Sequence, residues 1–310
     1  MKAVRFHSYG GSDVLALEDA DRPTAGPGQV VVQVAGTSFN FLDLAIRIGL
    51  MKAAMPVDFP HTPGIDLAGV IAETGDGVTD WKPGDPVVAF LPPPAPGATA
   101  EYVAVPADLL AAAPATVPLA DAAALPTVGL TARQALFDHL GLRAGQSILI
   151  NGAGGAVGGY AVQLAKRAGA VVTATASPRS IERVRAAGPD RIVDHTETPV
   201  TEALEGEQFD AVLHLVRNGP EETAALIGLV ADGGAFASTA TPGPLIPGRG
   251  IRVDQVYVRS DATRLAELVA LVDSGELKID VTERLTIADL PALHDRAFAG
   301  EVSGKAILTP

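Results

Sequence analysis

Hydrophobic patterning changes character along the chain. Up to about residue 118, short apolar or β-branched runs (Lys2 to His7, Gln29 to Val34, Gly69 to Glu73) are separated by Gly10-Gly11, Pro27-Gly28, Gly75-Asp76-Gly77 and Pro83-Gly84-Asp85. Short runs bounded by such turn residues predict a compact, largely antiparallel β domain. From about Leu119, alanine-rich helical stretches alternate with strands, and LADAAALPTVGLTARQALFDHLG reads as two helical pieces interrupted near Pro126. Strands are expected at Arg191 to Val193, Ala211 to Leu215 and Ala235 to Ser238, with a helix over Glu221 to Val230. Strand–helix alternation of this length predicts a doubly wound parallel sheet. After a Pro/Gly-rich loop at Thr241 to Gly250, IRVDQVYVR alternates as an edge strand would. The tail then offers two helices (RLAELVALVDSGEL and DLPALHDRAFAG), a short apolar run at Ile279 to Val281, and a strand at Lys305 to Leu308. That last strand has no local partner, so the simplest arrangement returns the tail to the first domain. The fold class expected is α/β, with a discontinuous, mostly-β domain (1–118 and 259–310) and a parallel-sheet domain (119–258).

Chemistry enters at SILINGAGGAVGGYAVQLAKRAGAVVTATASPR, Ser147 to Arg179. An apolar strand, a glycine cluster, a helix and a second strand from Ala170 to Thr175 form the unit that binds a dinucleotide pyrophosphate. Gly152 permits the sharp turn off the strand, Gly155 lets the backbone approach the phosphates, and Gly158 lets the helix pack close to the sheet. The opening turn of the helix, from Ala156 and Val157, offers unpaired N–H groups and the positive dipole end to the anion. In NAD-preferring units an acidic residue at the end of the second strand holds the ribose hydroxyls. Here Ser177, Arg179 and Arg183 follow instead. A hydroxyl and guanidinium groups suit a 2′-phosphate, so NADPH (NADP) is the expected cofactor.

Composition narrows the alternatives. At 310 residues the chain exceeds one ordinary core, which agrees with two domains. A net charge of -13 without any basic block argues against nucleic acid as a partner. The absence of cysteine removes disulfides and thiolate zinc sites. No run of about 18 apolar residues predicts a membrane span, and MKAVRFHSYGG lacks a signal-peptide core, so a cytoplasmic protein is the expectation.

Seven motifs in order, SFNFLD, HTPGIDLAGVI, WKPGDPV, AEYV, ALPTVGLTA, the glycine cluster and EVSGKAIL, make the chain resemble the medium-chain dehydrogenase/reductase superfamily, within it the zinc-independent quinone oxidoreductase branch. The resemblance implies a GroES-like catalytic domain built from both termini, a Rossmann domain inserted between them, and an active-site cleft. It also implies homodimers formed through edge strands. In zinc-dependent relatives the catalytic metal sits at positions that are Asn40, Ile65 and Thr127 here, so no metal site is expected. The same motifs imply that Asn40 donates to a developing oxyanion, that Thr127 lines the pocket and that Thr131 lies beside the nicotinamide. Asp43 and Asp66 read as structural, and His61 and His214 as titratable groups outside the chemistry. Such relatives often carry tyrosines shortly after the Asn-x-x-Asp motif, but Leu44 to Met55 has none, which implies a more aliphatic acceptor pocket. Without a Lewis acid, the expected reaction is hydride delivery to a small-molecule quinone or α,β-unsaturated carbonyl. An enoyl reductase acting on a polyketide-like metabolite, and a catalytically silent NADPH-binding sensor, are the alternatives.

Overall fold

A computed structural model describes all 310 residues, which fall into two compact units, Met1–Thr127 with Ser260–Pro310, and Val128–Arg259. The first boundary lies later than the expected 118/119. The 3₁₀ segment Leu119–Ala124 packs on the first unit's sheet, and its Ala120 backbone lies against Gly36, where a Cβ would meet the Ala120 carbonyl at 2.7 Å. The break expected near Pro126 is present: the 3₁₀ segment ends at Ala124 and the next helical piece begins with Pro126. Pro126 opens the helix Pro126–Arg133, a position where its missing N–H is harmless.

The first unit is organised on the strand Gln29–Ser38. It pairs antiparallel with Asp66–Thr74 and with Tyr102–Pro106, while Pro86–Phe90 extends the sheet beyond Asp66–Thr74. Alternate apolar positions on these strands (Val30, Val32, Val34, Leu67, Ile71, Val87, Ala89) build one core. The tail supplies the partner that local pattern left open. Ala306–Thr309 pairs antiparallel with Gln29–Ser38, Ile307 opposite Ser38 and Leu308 opposite Thr37, and parallel with Glu283–Thr286. Glu283–Thr286 follows just after the short apolar run Ile279 to Val281. A second core gathers Phe6, Phe39, Leu44 and Ile46 with Leu290 and Leu293 of the helix Leu290–Phe298.

The second unit is a six-stranded, wholly parallel sheet in the order Arg191–Asp194, Val171–Ala176, Ser147–Asn151, Phe209–His214, Val230–Ser238, Arg252–Gln255. From Ser147–Asn151 the chain winds to one side, then returns to wind to the other. The strand order thus reverses between Ser147–Asn151 and Phe209–His214, where open α/β sheets form a ligand crevice at their carboxyl ends. The helix expected over Glu221 to Val230 ends sooner, at Gly228, because Val230 already pairs with Phe209. Only Arg252–Gln255 of the alternating IRVDQVYVR segment is strand, and it is the sheet edge.

Candidate functional site

In the second unit the glycine cluster forms a tight turn between Ser147–Asn151 and the helix Ala156–Arg167. Gly152 has φ +95°, a conformation that side chains rarely adopt. Gly155 is the helix N-cap and offers no side chain to cap the opening turn, so the N–H groups of Ala156 and Val157 have no partner within the helix. A Cβ on Gly158 would lie 2.4 Å from Ala153 Cα and 2.5 Å from the Gly152 carbonyl oxygen. Its close packing is therefore against the turn, rather than the sheet. These residues fit a dinucleotide pyrophosphate, because the cradle closes only where Cβ atoms are missing.

Beside the turn, Val171–Ala176 runs into Ser177, whose N–H donates to Ser180 Oγ at 3.1 Å. Arg179 is exposed, and the Arg183 Nη2 donates to the Gly154 carbonyl at 2.9 Å. Arg183 is thus anchored to the glycine turn, with part of its guanidinium committed to backbone.

In the first unit, a buried polar cluster forms where the three motif positions Asn40, Ile65 and Thr127 come together. Its centre is Asp66, at the start of Asp66–Thr74 and 0 % exposed. Asp66 Oδ1 accepts from the Thr127 N–H and from Thr127 Oγ1, both at 2.7 Å. Asp66 Oδ2 accepts from Ser38 Oγ, from Asn40 Nδ2 at 2.9 Å and from Lys305 Nζ at 3.0 Å. Lys305 is 2 % exposed, and its ammonium also donates to Asn40 Oδ1 at 2.7 Å and to the Phe39 carbonyl at 3.0 Å. All three ammonium protons are matched.

This arrangement changes the reading of Asn40. Its amide donates to Asp66 Oδ2 and, at 3.2 Å, to the Ser38 carbonyl. Both hydrogens are engaged, and Lys305 on the carbonyl side fixes which way the amide faces. In this geometry Asn40 builds the floor of the cluster rather than offering a free donor. Thr127 and Thr131 are both buried and lie four residues apart on the helix Pro126–Arg133, hence on one face of it. Ser38, Asp66 and Lys305 were not singled out by sequence as functional. The only signal for Lys305 was its place in EVSGKAIL.

No three His, Cys, Asp or Glu side chains gather as metal ligands. The donor chemistry of the cluster also does not fit zinc. Ile65 has no donor atom, and an ammonium already occupies the oxygens of Asn40, Asp66 and Phe39. His61 stands apart, buried against the Phe6 ring with centroids 5.3 Å apart, and burial pushes its imidazole down to about 4.

Asp43 lies beside this cluster and accepts the Gly64 N–H at 2.9 Å. Burial raises its carboxyl to about 7, against the opposing pull of the Gly64 bond; the Asp66 charge adds to the rise and Lys305 counters it. The folded protein thus keeps a proton that the unfolded chain releases near 3.8. Stability from this group is full below that value and is lost as pH climbs to about 7. Asp43→Asn is therefore expected to gain on the wild type by about 1.4 kcal/mol per pH unit across that window and to hold a constant lead above it. Urea midpoints from pH 4 to 8 measure this, and parallel curves for the two proteins contradict it.

Comparisons with known proteins agree with this architecture. Residues 26–115 match the alcohol dehydrogenase GroES-like domain, and residues 187–308 match a model described as zinc-binding dehydrogenase. The chloroplast envelope quinone oxidoreductase homolog of Arabidopsis thaliana is 34% identical, over 100% of this chain and 98% of its own. The NADPH-dependent alkenal/one oxidoreductase of the same plant, also chloroplastic, is 35% identical over 90% of this chain and 71% of its own. The solved quinone oxidoreductase of Coxiella burnetii superposes with a TM-score of 0.89 at 28% identity, covering 100% of this chain and 99% of that one. The cytoplasmic expectation is corrected by these relatives, whose names place them in the chloroplast. An N-terminus without an apolar core speaks only to secretion, which is why it misled. The order of motifs, the paired units and full-length similarity lead to one conclusion: the chain belongs to the quinone oxidoreductase branch of the medium-chain dehydrogenase/reductase superfamily.

Proposed function

We propose that the protein is an NADPH-dependent reductase of quinones or α,β-unsaturated carbonyls that works without a metal. The observation that carries this reading is the Lys305–Asp66–Asn40 cluster, in which an internal ammonium holds the oxygens of Phe39, Asp66 and Asn40, the last at one of the family's three metal positions. Without a Lewis acid to polarise a simple carbonyl, the favoured acceptor is one whose electrophilicity is built in by conjugation. When bound, the reduced nicotinamide supplies a hydride. The chain's part is to hold the pyrophosphate on the turn from Gly152 to Gly158, to set the face of the helix that carries Thr127 and Thr131, and to keep the cluster beneath Asn40 rigid. The enolate or hydroquinone anion formed takes its proton from solvent.

The preference for NADPH rests on Ser177 and Arg179, which follow a strand end that carries no carboxylate. Arg183 contributes by tying this segment to the glycine turn. The sheet-edge strand Arg252–Gln255 is the surface through which a homodimer forms in this reading. Cofactor oxidation tests the proposal with a cyclic enone, a quinone and the matching saturated ketone, each with NADPH and NADH. The expected result is turnover of the conjugated acceptors, faster with NADPH, and none of the saturated ketone. Equal reduction of the saturated ketone overturns it.

A further inference from the structure

A continuous line of hydrogen bonds crosses the second unit at the point where the strand order reverses. It starts at the glycine turn, where the Gly152 N–H donates to Thr175 Oγ1 at 2.8 Å. Thr175 Oγ1 donates in turn to Asn151 Oδ1 at 2.9 Å. That fixes the Asn151 amide with its Nδ2 toward His214 Nδ1, 3.1 Å away on the neighbouring strand, where the two residues are register partners. An amide nitrogen only donates, so His214 Nδ1 must accept and Nε2 must carry the proton. His214 Nε2 then donates to Asn218 Oδ1 at 2.9 Å, an oxygen that also accepts from Thr223 Oγ1 at 2.7 Å. Asn218 is fastened at its backbone too: its N–H donates to Thr241 Oγ1, and Thr241 Oγ1 donates to its carbonyl.

From Gly152 to Asn218 the direction of each hydrogen bond in this line is set by its neighbours, and His214 is its midpoint. The residue is 0 % exposed, and burial holds its imidazole below the usual range, against the Asn218 bond and Glu222. Packing follows the same route. A Cβ on Gly152 would lie 2.8 Å from Val216 Cγ2 and 3.1 Å from Leu215 Cβ, so the glycine turn rests directly on the segment after His214. Both ends of the line stand at the carboxyl ends of adjacent parallel strands, on the two sides of the crevice where open α/β sheets bind ligands.

We infer that His214, as its neutral Nε2–H tautomer, is a positioning residue for the cofactor site, locking the Gly152 turn and the segment Leu215 to Gly219, with Thr241, into one preformed unit. This rests on the dinucleotide reading of the second unit. It makes His214 neither a proton shuttle nor a ligand to substrate: both ring nitrogens are committed to amides.

Two measurements test it. The first uses the wild-type protein alone: nitrogen-15 NMR of the histidine side chains, with His214→Leu used to assign the resonance. A protonated Nε2 and a bare Nδ1 are expected at neutral pH, and the opposite tautomer, an averaged mixture or an imidazolium overturns the inference. The second is NADPH titration followed by ligand fluorescence. His214→Leu and Asn218→Ala are each expected to weaken binding by about tenfold, and the double variant by no more than the stronger single one, because they break one line. His214→Leu with wild-type affinity, or effects of the two variants that multiply, overturns it. A wild-type protein that binds neither NADPH nor NADH defeats the dinucleotide reading itself and this inference with it, a result distinct from wild-type binding that His214→Leu leaves intact.

Discussion

Asp66→Ala is expected to lower the stability of the protein by about 3–5 kcal/mol, the cost of leaving a buried charge without its partner. Five donors converge on this carboxylate, from Ser38, Asn40, Lys305 and twice from Thr127. Alanine takes an acceptor from each of them in a buried place. The Lys305 ammonium retains the Asn40 and Phe39 oxygens but loses its ion-pair partner. Removing the charges together is a different matter. Asp66→Leu combined with Lys305→Met takes out both ions and keeps apolar volume, so the double variant is expected to be more stable than Asp66→Ala. Urea unfolding of the three proteins reads the difference directly. A loss below about 1 kcal/mol for Asp66→Ala, the level of an exposed ion pair, contradicts the described cluster.

Gly158→Ala is expected to weaken NADPH binding by about 10- to 100-fold, corresponding to the 1–3 kcal/mol typical of overpacking. The added Cβ meets main-chain atoms of Gly152 and Ala153 at 2.4–2.5 Å, and no side chain can swing away to relieve it. The turn itself has to shift, and with it the N–H groups proposed to hold the pyrophosphate. Gly159 supplies the control. It is the next residue on the same helix, and a Cβ there meets nothing within 4 Å, so Gly159→Ala is expected to bind NADPH as the wild type does. Equal affinities for the two alanine variants, measured by calorimetric titration, contradict the role given to Gly158.

Local signals in the sequence carried most of the fold. The glycine turn and the strand–helix alternation are visible in residue pattern, since each depends on spacing within some thirty residues, and the return of the tail follows from a last strand with no local partner. The site was legible only in part. Lys305 looks like an ordinary polar residue at the start of a strand, and its meaning comes from pairing with a strand some 265 positions earlier, which carries it to Asn40. Once it is there, the Asn40 amide has its orientation set and its hydrogens engaged, so a donor role inferred from a motif position did not anticipate the geometry. Arg183 shows the same limit on a smaller scale. Its charge suggested a phosphate, while its Nη2 reaches the Gly154 carbonyl. His214 drew attention as a titratable group, yet its two amide partners come from a neighbouring strand and from a residue four positions on. For Lys305 and for the Asn151 partner of His214 the missing information was the register of strands distant in sequence, which residue types alone do not specify.

The central claim is that a conjugated acceptor receives hydride at carbon, without a metal, in a site where the Lys305 ammonium is bonded to Asn40 at one of the family's metal positions. It is tested most directly by one turnover with NADPH deuterated at the transferring C4 position, a cyclic enone, and a metal chelator in the buffer. The account predicts a saturated ketone bearing deuterium on the carbon β to the carbonyl, at a rate the chelator does not change. Deuterium on the carbonyl carbon, giving the allylic alcohol, or a reaction stopped by the chelator and restored by zinc, contradicts it.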